Sequence, residues 1–379
     1  MPMSKFTPKC SLKAAMFAWA MFACAAAIEP ARAQQQPPNP SVRPPASAVI
    51  PATPGAPATG NEDADMWRKV RGGIEGQVSI PDKKSGVLVQ SGGEAWRNFR
   101  NGPLPGYGAY AMGGMLALLA LFYAVRGRIR IDGGWSGRTI QRFTDLERTG
   151  HWLMAVSFII LGLTGLNVLY GRTLLLPVLG KDLFASLAAL SKWMHNYVAF
   201  AFMAGLALSF VMWLGQNFPN RHDVVWLLKG GGMFSRGAHL PAKKFNAGQK
   251  ILFWVIMLGG VSISLSGLSL MFPFQVPLFA KTFAWANMLG LGLPTTLTGM
   301  QEMQLASQWH GIVALGLICV IFAHIYIGTV GMQGAFSAMG TGAVDVNWAK
   351  EHHSIWADEE ILKEAYAPDN FGDRAVPAE

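Results

Sequence analysis

Five long apolar runs interrupt an otherwise more polar chain, at about 107–125, 151–170, 194–214, 251–271 and 305–330. As helices rising ~1.5 Å per residue, each is long enough to cross a hydrocarbon layer ~30 Å thick. The pattern predicts an all-α integral membrane protein with five transmembrane helices. Upstream, a basic start, the apolar stretch AAMFAWAMFACAAA and an Ala-Arg-Ala site predict a signal peptide over 1–33. A retained anchor helix is the alternative, and a lipoprotein cysteine at Cys24 fits less well beside Phe22. Residues 34–60, rich in Pro, Gln, Ala and Ser, read as a disordered linker. Residues 61–102 are polar with scattered aromatics, and they are too few for an independent domain. They read as a periplasmic arm lying on a partner. The organisation expected further on is an additional transmembrane helix at 103–126, a four-helix domain at 142–335 and a cytoplasmic tail at 336–379.

Composition supports a membrane protein. Charged residues are only 14 % of the 379, while Gly (43) and Trp (13) are frequent. The net charge of +9 would suggest nucleic acid if the basic residues formed one patch. Instead they alternate between loops. Six Arg fall between the first and second runs, and Arg221, Lys229, Arg236, Lys243, Lys244 and Lys250 between the third and fourth. The other two loops carry only Arg172, Lys181 and Lys192, and Lys281. The positive-inside rule puts the basic loops in the cytoplasm, the N-terminus outside and the C-terminus inside. The three cysteines, Cys10, Cys24 and Cys319, build neither a disulfide framework nor a CxxCH attachment, so any haem is held without a thioether link.

Four of eight histidines lie in or at the ends of apolar runs: His151, His195, His310 and His324. An ionisable residue in a membrane helix is a functional hypothesis by default. His310 and His324 are fourteen residues apart on one helix, a rise of ~21 Å in almost four turns, so they face nearly the same way. The loop charges then match depths: His195 with His310 outside, His151 with His324 inside. Bis-histidine ligation of two b-type haems explains this pattern. With both axial positions filled, the work left is electron transfer. The bland alternative, four hydrogen-bonded packing histidines, does not require matched depths. Gly162, Gly165, Gly205, Gly311 and Gly316 give a macrocycle room or simply allow close helix packing. Arg148 and Lys192 suit haem propionates or interfacial anchoring equally. His222, His239, His352 and His353, in loops or the tail, read as solvated surface residues. A second cluster, KKFNAGQKILFW at 243–254, opens the fourth run. Asn246 is a good N-cap, and Asn246 and Gln249 offer amide donors and acceptors. A cap and a ligand site are both open at that point.

The stretches RFTDLERTGHW, KWMHNYVAF, KFNAGQKILFW, SQWHGIVALGLICVIFAHIYIGT and WAKEHHSIW thread through residues 142–356. In them the chain resembles the gamma subunit, the membrane cytochrome b, of respiratory formate dehydrogenases. FNAGQK and the last-helix stretch are the most specific. The resemblance implies four helices carrying two haems b, with His195 and His310 on the outer haem and His151 and His324 on the inner. It places Asn246, Gly248 and Gln249 in a quinone pocket, for menaquinone or ubiquinone. It also implies an iron–sulfur beta subunit and a molybdenum- or tungsten-pterin alpha subunit outside the bacterial inner membrane. The signal peptide, arm and first span exceed the short family form. The function expected is electron transfer from formate, through the partners and two haems, to a quinone in the lipid. The cytochrome b of a hydrogenase or thiosulfate reductase is the rival. A haem-free transporter is the other, opposed by the lack of internal repeats and of carboxylates deep in the spans.

Overall fold

The computed structural model describes residues 76–77, 87–89, 92–232, 237–272 and 275–365. The expected signal peptide and linker, and much of the arm, lie outside the described residues, as does the end of the tail. Two compact units divide the chain: Met1–Tyr110 with Leu268–Trp309, and Ala111–Gly267 with His310–Glu379.

In the first unit, β1 (Gly76–Gln77) pairs antiparallel with β2 (Val87–Val89). Helix α1 (Gly92–Asn101) follows, then the start of α2 (Pro103–Arg126). Trp96, Leu297, Gln301 and Leu305 line a cavity of ≈ 240 Å³. Glu302, 1 % exposed, accepts hydrogen bonds from the Phe279 and Ala280 amides. Those amides open the helix Phe279–Asn287, and helix-start N–H groups have no intrahelical partner, so the carboxylate satisfies them.

The second unit holds α3 (Asp145–Leu174), α4 (Leu176–Trp213), α5 (Arg221–Leu228), most of α6 (Ala247–Met271) and the last long helix from His310 onward. Phe279–Asn287 is α7, and α8 is Gly299–Tyr326. Five helices are long and apolar enough to cross a membrane, as the sequence pattern predicts: α2, α3, α4, α6 and α8, each with its flanking turns. Along them Leu118, Leu121, Leu163, Val211 and Leu258 are exposed. In water such a surface would be costly; facing lipid tails it is not. The third span begins earlier than hydropathy suggests. Its helix starts at Leu176 and absorbs a kink at Gly180 (φ 74°), a left-handed conformation that glycine adopts without a Cβ penalty.

Polar signals set the helix starts. Thr144 and Glu147 form a reciprocal capping box before α3, as do Asn220 and Asp223 before α5. Asn246 with Gln249, and Thr298 with Gln301, exchange the same pair of bonds before α6 and α8.

Two antiparallel hairpins follow from the contacts. In the first, Asn167 Nδ2 donates to Ser191 Oγ (2.8 Å), and Gly205 lies against Met154. A Cβ on Gly205 would meet the Met154 backbone nitrogen at 2.6 Å, so α3 and α4 approach at a distance only glycine permits. In the second, Gly259 of α6 sits against Leu317 of α8. The added helix α2 touches the bundle where Phe122 and Tyr123 set their rings edge-on to Tyr326, with centroids 6.2 and 6.5 Å apart.

The segment after α8 is not a loose tail. A π-helical turn, Ile327–Gly331, ends the span, and β4 (Ala343–Asp345) pairs antiparallel with β3 (Thr139–Gln141). Helix α9 (Val346–Ala365) then packs beside them. Ile140, Val344, Ala349 and Ala357 are at most 1 % exposed, so this cap has its own apolar core. Carboxylates tie it: Asp345 accepts from the Ser136 and Asn347 amides, and Glu351 from those of Asp132 and Gly133.

Candidate functional site

The second unit brings the four membrane histidines into two facing pairs. His195 of α4 and His310 of α8 have ring centroids 6.1 Å apart, at an interplanar angle of 64°. His151 of α3 and His324 of α8 are 6.2 Å apart, at 61°. Such near-equal geometry describes two sites of one kind. No hydrogen bond joins the rings in either pair. Two metal–imidazole bonds of ~2.0 Å, each added to about 1.1 Å from nitrogen to ring centre, would separate two imidazoles on one metal by roughly 6.2 Å between centroids. Both pairs therefore fit a haem iron held between them.

The pairs differ in what stands behind the rings. Thr164 Oγ1 lies 2.8 Å from His195 Nδ1 and donates its own proton to the Ile160 carbonyl at 2.8 Å. Ser266 Oγ lies 3.0 Å from His310 Nδ1 and donates to the Ile263 carbonyl at 3.0 Å. A hydroxyl has one proton, so each oxygen must accept from the ring. Both histidines then carry the proton on Nδ1 and leave the Nε2 lone pair for a metal. The Nδ1 of His151, by contrast, is buried with no partner, and no hydrogen bond reaches His324 among the described residues.

Around the His151–His324 end lies a polar network. Glu147 Oε1 accepts from Lys244 Nζ (2.8 Å) and Trp213 Nε1 (2.9 Å). The other oxygen takes the Thr144 amide at 2.8 Å. Arg148 donates to the carbonyls of Met339 and Gly340 and to Asp145, so it tethers the segment after α8. Arg142, 3 % exposed, donates from Nη2 to the Lys244 carbonyl and to His353 Nε2, the latter at 3.1 Å. Burial lowers the Arg142 pKa to about 9, with Glu147 opposing, so it remains charged at neutral pH.

His353 is not the solvated residue that its place in the tail suggests. It is 1 % exposed, and Nδ1 donates to the Lys243 carbonyl at 2.9 Å. Burial first, then the Arg142 charge, holds its pKa well below the ordinary histidine value. His352 is also mostly withdrawn from solvent, and burial pushes its pKa down to about 4. A single sequence carries no signal for this, because the partners of His353, Arg142 and Lys243, lie 211 and 110 residues away in the chain.

The 243–254 stretch forms the start of α6. The Gln249 amide donates to Asn246 Oδ1 (3.0 Å) and the Asn246 amide to Gln249 Oε1 (3.1 Å). With both carbonyl oxygens turned to the backbone, the two side-chain NH₂ groups are the ends left to donate. Gly248 lies under Trp226 of α5, whose ring a Cβ would meet at 2.8 Å. A groove of ≈ 300 Å³ lies nearby, lined by Leu227, Ala247, Lys250, Ile251 and Trp254. Lys250 there is paired with Asp223 at 2.8 Å. The groove follows the 247–250–254 face of α6, not the 246–249–253 face that carries the amides. Of the glycines read as making room for a macrocycle, Gly165 borders His195, while Gly205 is taken up by helix packing.

A helical bundle with paired membrane histidines is the architecture of a b-type cytochrome. Residues 142–342, more than half the chain, match the family described as prokaryotic cytochrome b561, and the chain belongs to that family. Haem b is the cofactor this family implies. Among similar curated proteins is the formate dehydrogenase cytochrome b556(fdo) subunit of Escherichia coli K12, 28 % identical over 58 % of this chain and 93 % of that protein. The nitrate-inducible b556(Fdn) subunit of the same organism is 26 % identical, over 59 % of this chain and 92 % of its own length. The cytochrome b556 subunit of the Haemophilus influenzae formate dehydrogenase is 25 % identical, over 59 % and 84 % respectively.

Proposed function

We propose that this chain is the membrane cytochrome b subunit of a formate dehydrogenase. The observation that carries the reading is the pair of facing histidine couples, each at the spacing of two ligands on one iron, in a chain whose similar proteins bear that name. His195 and His310 would hold an outer haem b, and His151 and His324 an inner one. Bound there, haem b supplies one-electron transfer between an iron–sulfur partner and a quinone. The chain's own part is to fix the imidazoles and to seal them in apolar helices. It also holds a quinone carbonyl by the Asn246 and Gln249 amides, beside Gly248, at the cytoplasmic edge. The basic loops before α3 and α6 support a periplasmic N-terminal arm and a cytoplasmic cap. The iron–sulfur and metal-pterin subunits would dock on the periplasmic side.

Affinity purification of the tagged full chain from its native host tests the reading. Formate-reducible haem co-purifying with iron–sulfur and molybdenum or tungsten proteins is the expected result. Haem reduced by hydrogen and not by formate, with a nickel protein in the preparation, would replace formate dehydrogenase by hydrogenase. A preparation without haem would end the cytochrome reading. Alkaline phosphatase fused after Gly102 should be active, and fused within 126–148 inactive; the reverse would invert the topology.

A further inference from the structure

Two hydroxyl-bearing side chains in the bundle do the same thing on different helices. Thr164 of α3 is followed by Gly165, and Ser266 of α6 by Gly267. Each hydroxyl meets the Nδ1 of a histidine on the other helix of its hairpin: Thr164 that of His195, Ser266 that of His310. Each glycine faces the same ring, and a Cβ there would stand 3.4 Å from its Cε1. A hydroxyl–glycine cradle thus occurs twice, once per hairpin, and both copies serve one histidine pair. Back-bonding of Ser and Thr to the preceding turn is ordinary in membrane helices. Ser264, which bonds the Gly260 carbonyl at 2.7 Å and reaches no histidine, is an instance in this chain. Ordinary back-bonding does not account for two hydroxyls each ending on the Nδ1 of a facing imidazole.

We infer that Thr164 and Ser266 are positioning residues that lock His195 and His310 in the Nδ1–H tautomer and make them the more electron-donating ligand pair. The inference rests on the proposed haem ligation. A hydrogen bond accepted from Nδ1–H fixes the ring and raises the basicity of the ligating nitrogen. A more basic axial pair favours the oxidised iron, and axial ligation with its hydrogen bonding is one means by which a protein sets haem potential. His151 has no such partner on Nδ1, and among the described residues no hydrogen bond reaches His324. A haem held by the His195–His310 pair would therefore have, from this contribution, a lower potential than one held by the His151–His324 pair.

The test uses the purified intact complex with Thr164→Val, Ser266→Ala and the double variant, and Ser264→Ala as control. The readouts are haem content, low-spin electron paramagnetic resonance and a redox titration of each haem. His310→Ala identifies which signal belongs to the outer haem. The expected result is two haems per chain, an upward shift of the outer midpoint in each variant and a larger one in the double. The inner midpoint and the Ser264→Ala protein should be unchanged. Partial loss of the outer haem in Thr164→Val, restored by Thr164→Ser, equally supports a positioning role. Two fully loaded haems with both midpoints unmoved in the double variant would overturn the inference while leaving the ligation intact. Two low-spin haems surviving in His310→Ala would instead overturn the ligation itself.

Discussion

The two histidine pairs share spacing and ring angle, yet they are secured by different means. His195 and His310 are braced inside the apolar bundle, each by one hydroxyl whose own proton is spent on its helix. His151 and His324 have no such brace. Their helix ends are set from outside the bundle, by Glu147, Lys244, Arg148 and the cap built from β3, β4 and α9. A small neutral hydroxyl can be satisfied within a helix in lipid, whereas a carboxylate or guanidinium needs several partners and a place near water. Depth in the membrane thus limits which chemistry can orient a histidine. One pair should respond mainly to changes in packing, the other to charge and pH.

The largest effect should come from the ligands. Pyridine haemochrome analysis should give close to two haems per wild-type chain and about one in either His310→Ala or His324→Ala, with a different low-spin signal lost in each. Loss of both signals in either variant would mean that the pairs are not independent sites.

Next is the ion pair at the His151 end. Removing one member of a buried pair typically costs about 3–5 kcal/mol. The side chains of Glu147 and Lys244 are 11 % and 19 % exposed, so the lower part of that range applies. Glu147→Gln should lower the thermal stability of the detergent-solubilised protein and should perturb the His151–His324 haem signal before the other. Equal perturbation of both would remove the contrast between the pairs.

Acid should act at the same end. A neutral His353 accepts from Arg142, and its folded pKa lies below the unfolded value near 6.5. The unfolded chain therefore binds the proton more readily. This group's contribution to docking the cap is complete above pH ~6.5 and declines as pH falls from there toward the folded pKa. His352, with a folded pKa of about 4, adds loss in the same direction, between ~6.5 and 4. Hydrogen exchange of 346–365 should quicken below pH 6 with little change around Thr164 and Ser266. Uniform exchange across both regions would count against a cap-specific effect.

The smallest effect belongs to the amides of α6. Asn246→Ala removes a capping box and should cost ~1 kcal/mol of stability. A lost hydrogen bond of ~0.5–1.5 kcal/mol to the quinone should slow haem reoxidation by added quinone up to roughly tenfold, with both haems still reduced by formate. Unaltered reoxidation and inhibitor sensitivity in both Asn246→Ala and Gln249→Ala would reduce the motif to a helix cap.

Hydropathy alone determined the all-α class and the five spans, because a helix in lipid must be apolar over its whole length whatever its neighbours are. The spacing of His310 and His324 likewise belongs to one helix and needs no tertiary contact to place both rings on one face. The partners of those rings were expected from depth, and only the packing of one hairpin against the other sets them face to face at 6.1 and 6.2 Å. Local sequence could not mark Thr164, Ser266, Glu147 or His353 as more than ordinary helix or tail residues. Their partners lie 31, 44, 97 and 211 residues away. Polar pairing of that reach is decided by which helices pack together, since a buried donor takes whatever acceptor the fold brings within hydrogen-bonding distance.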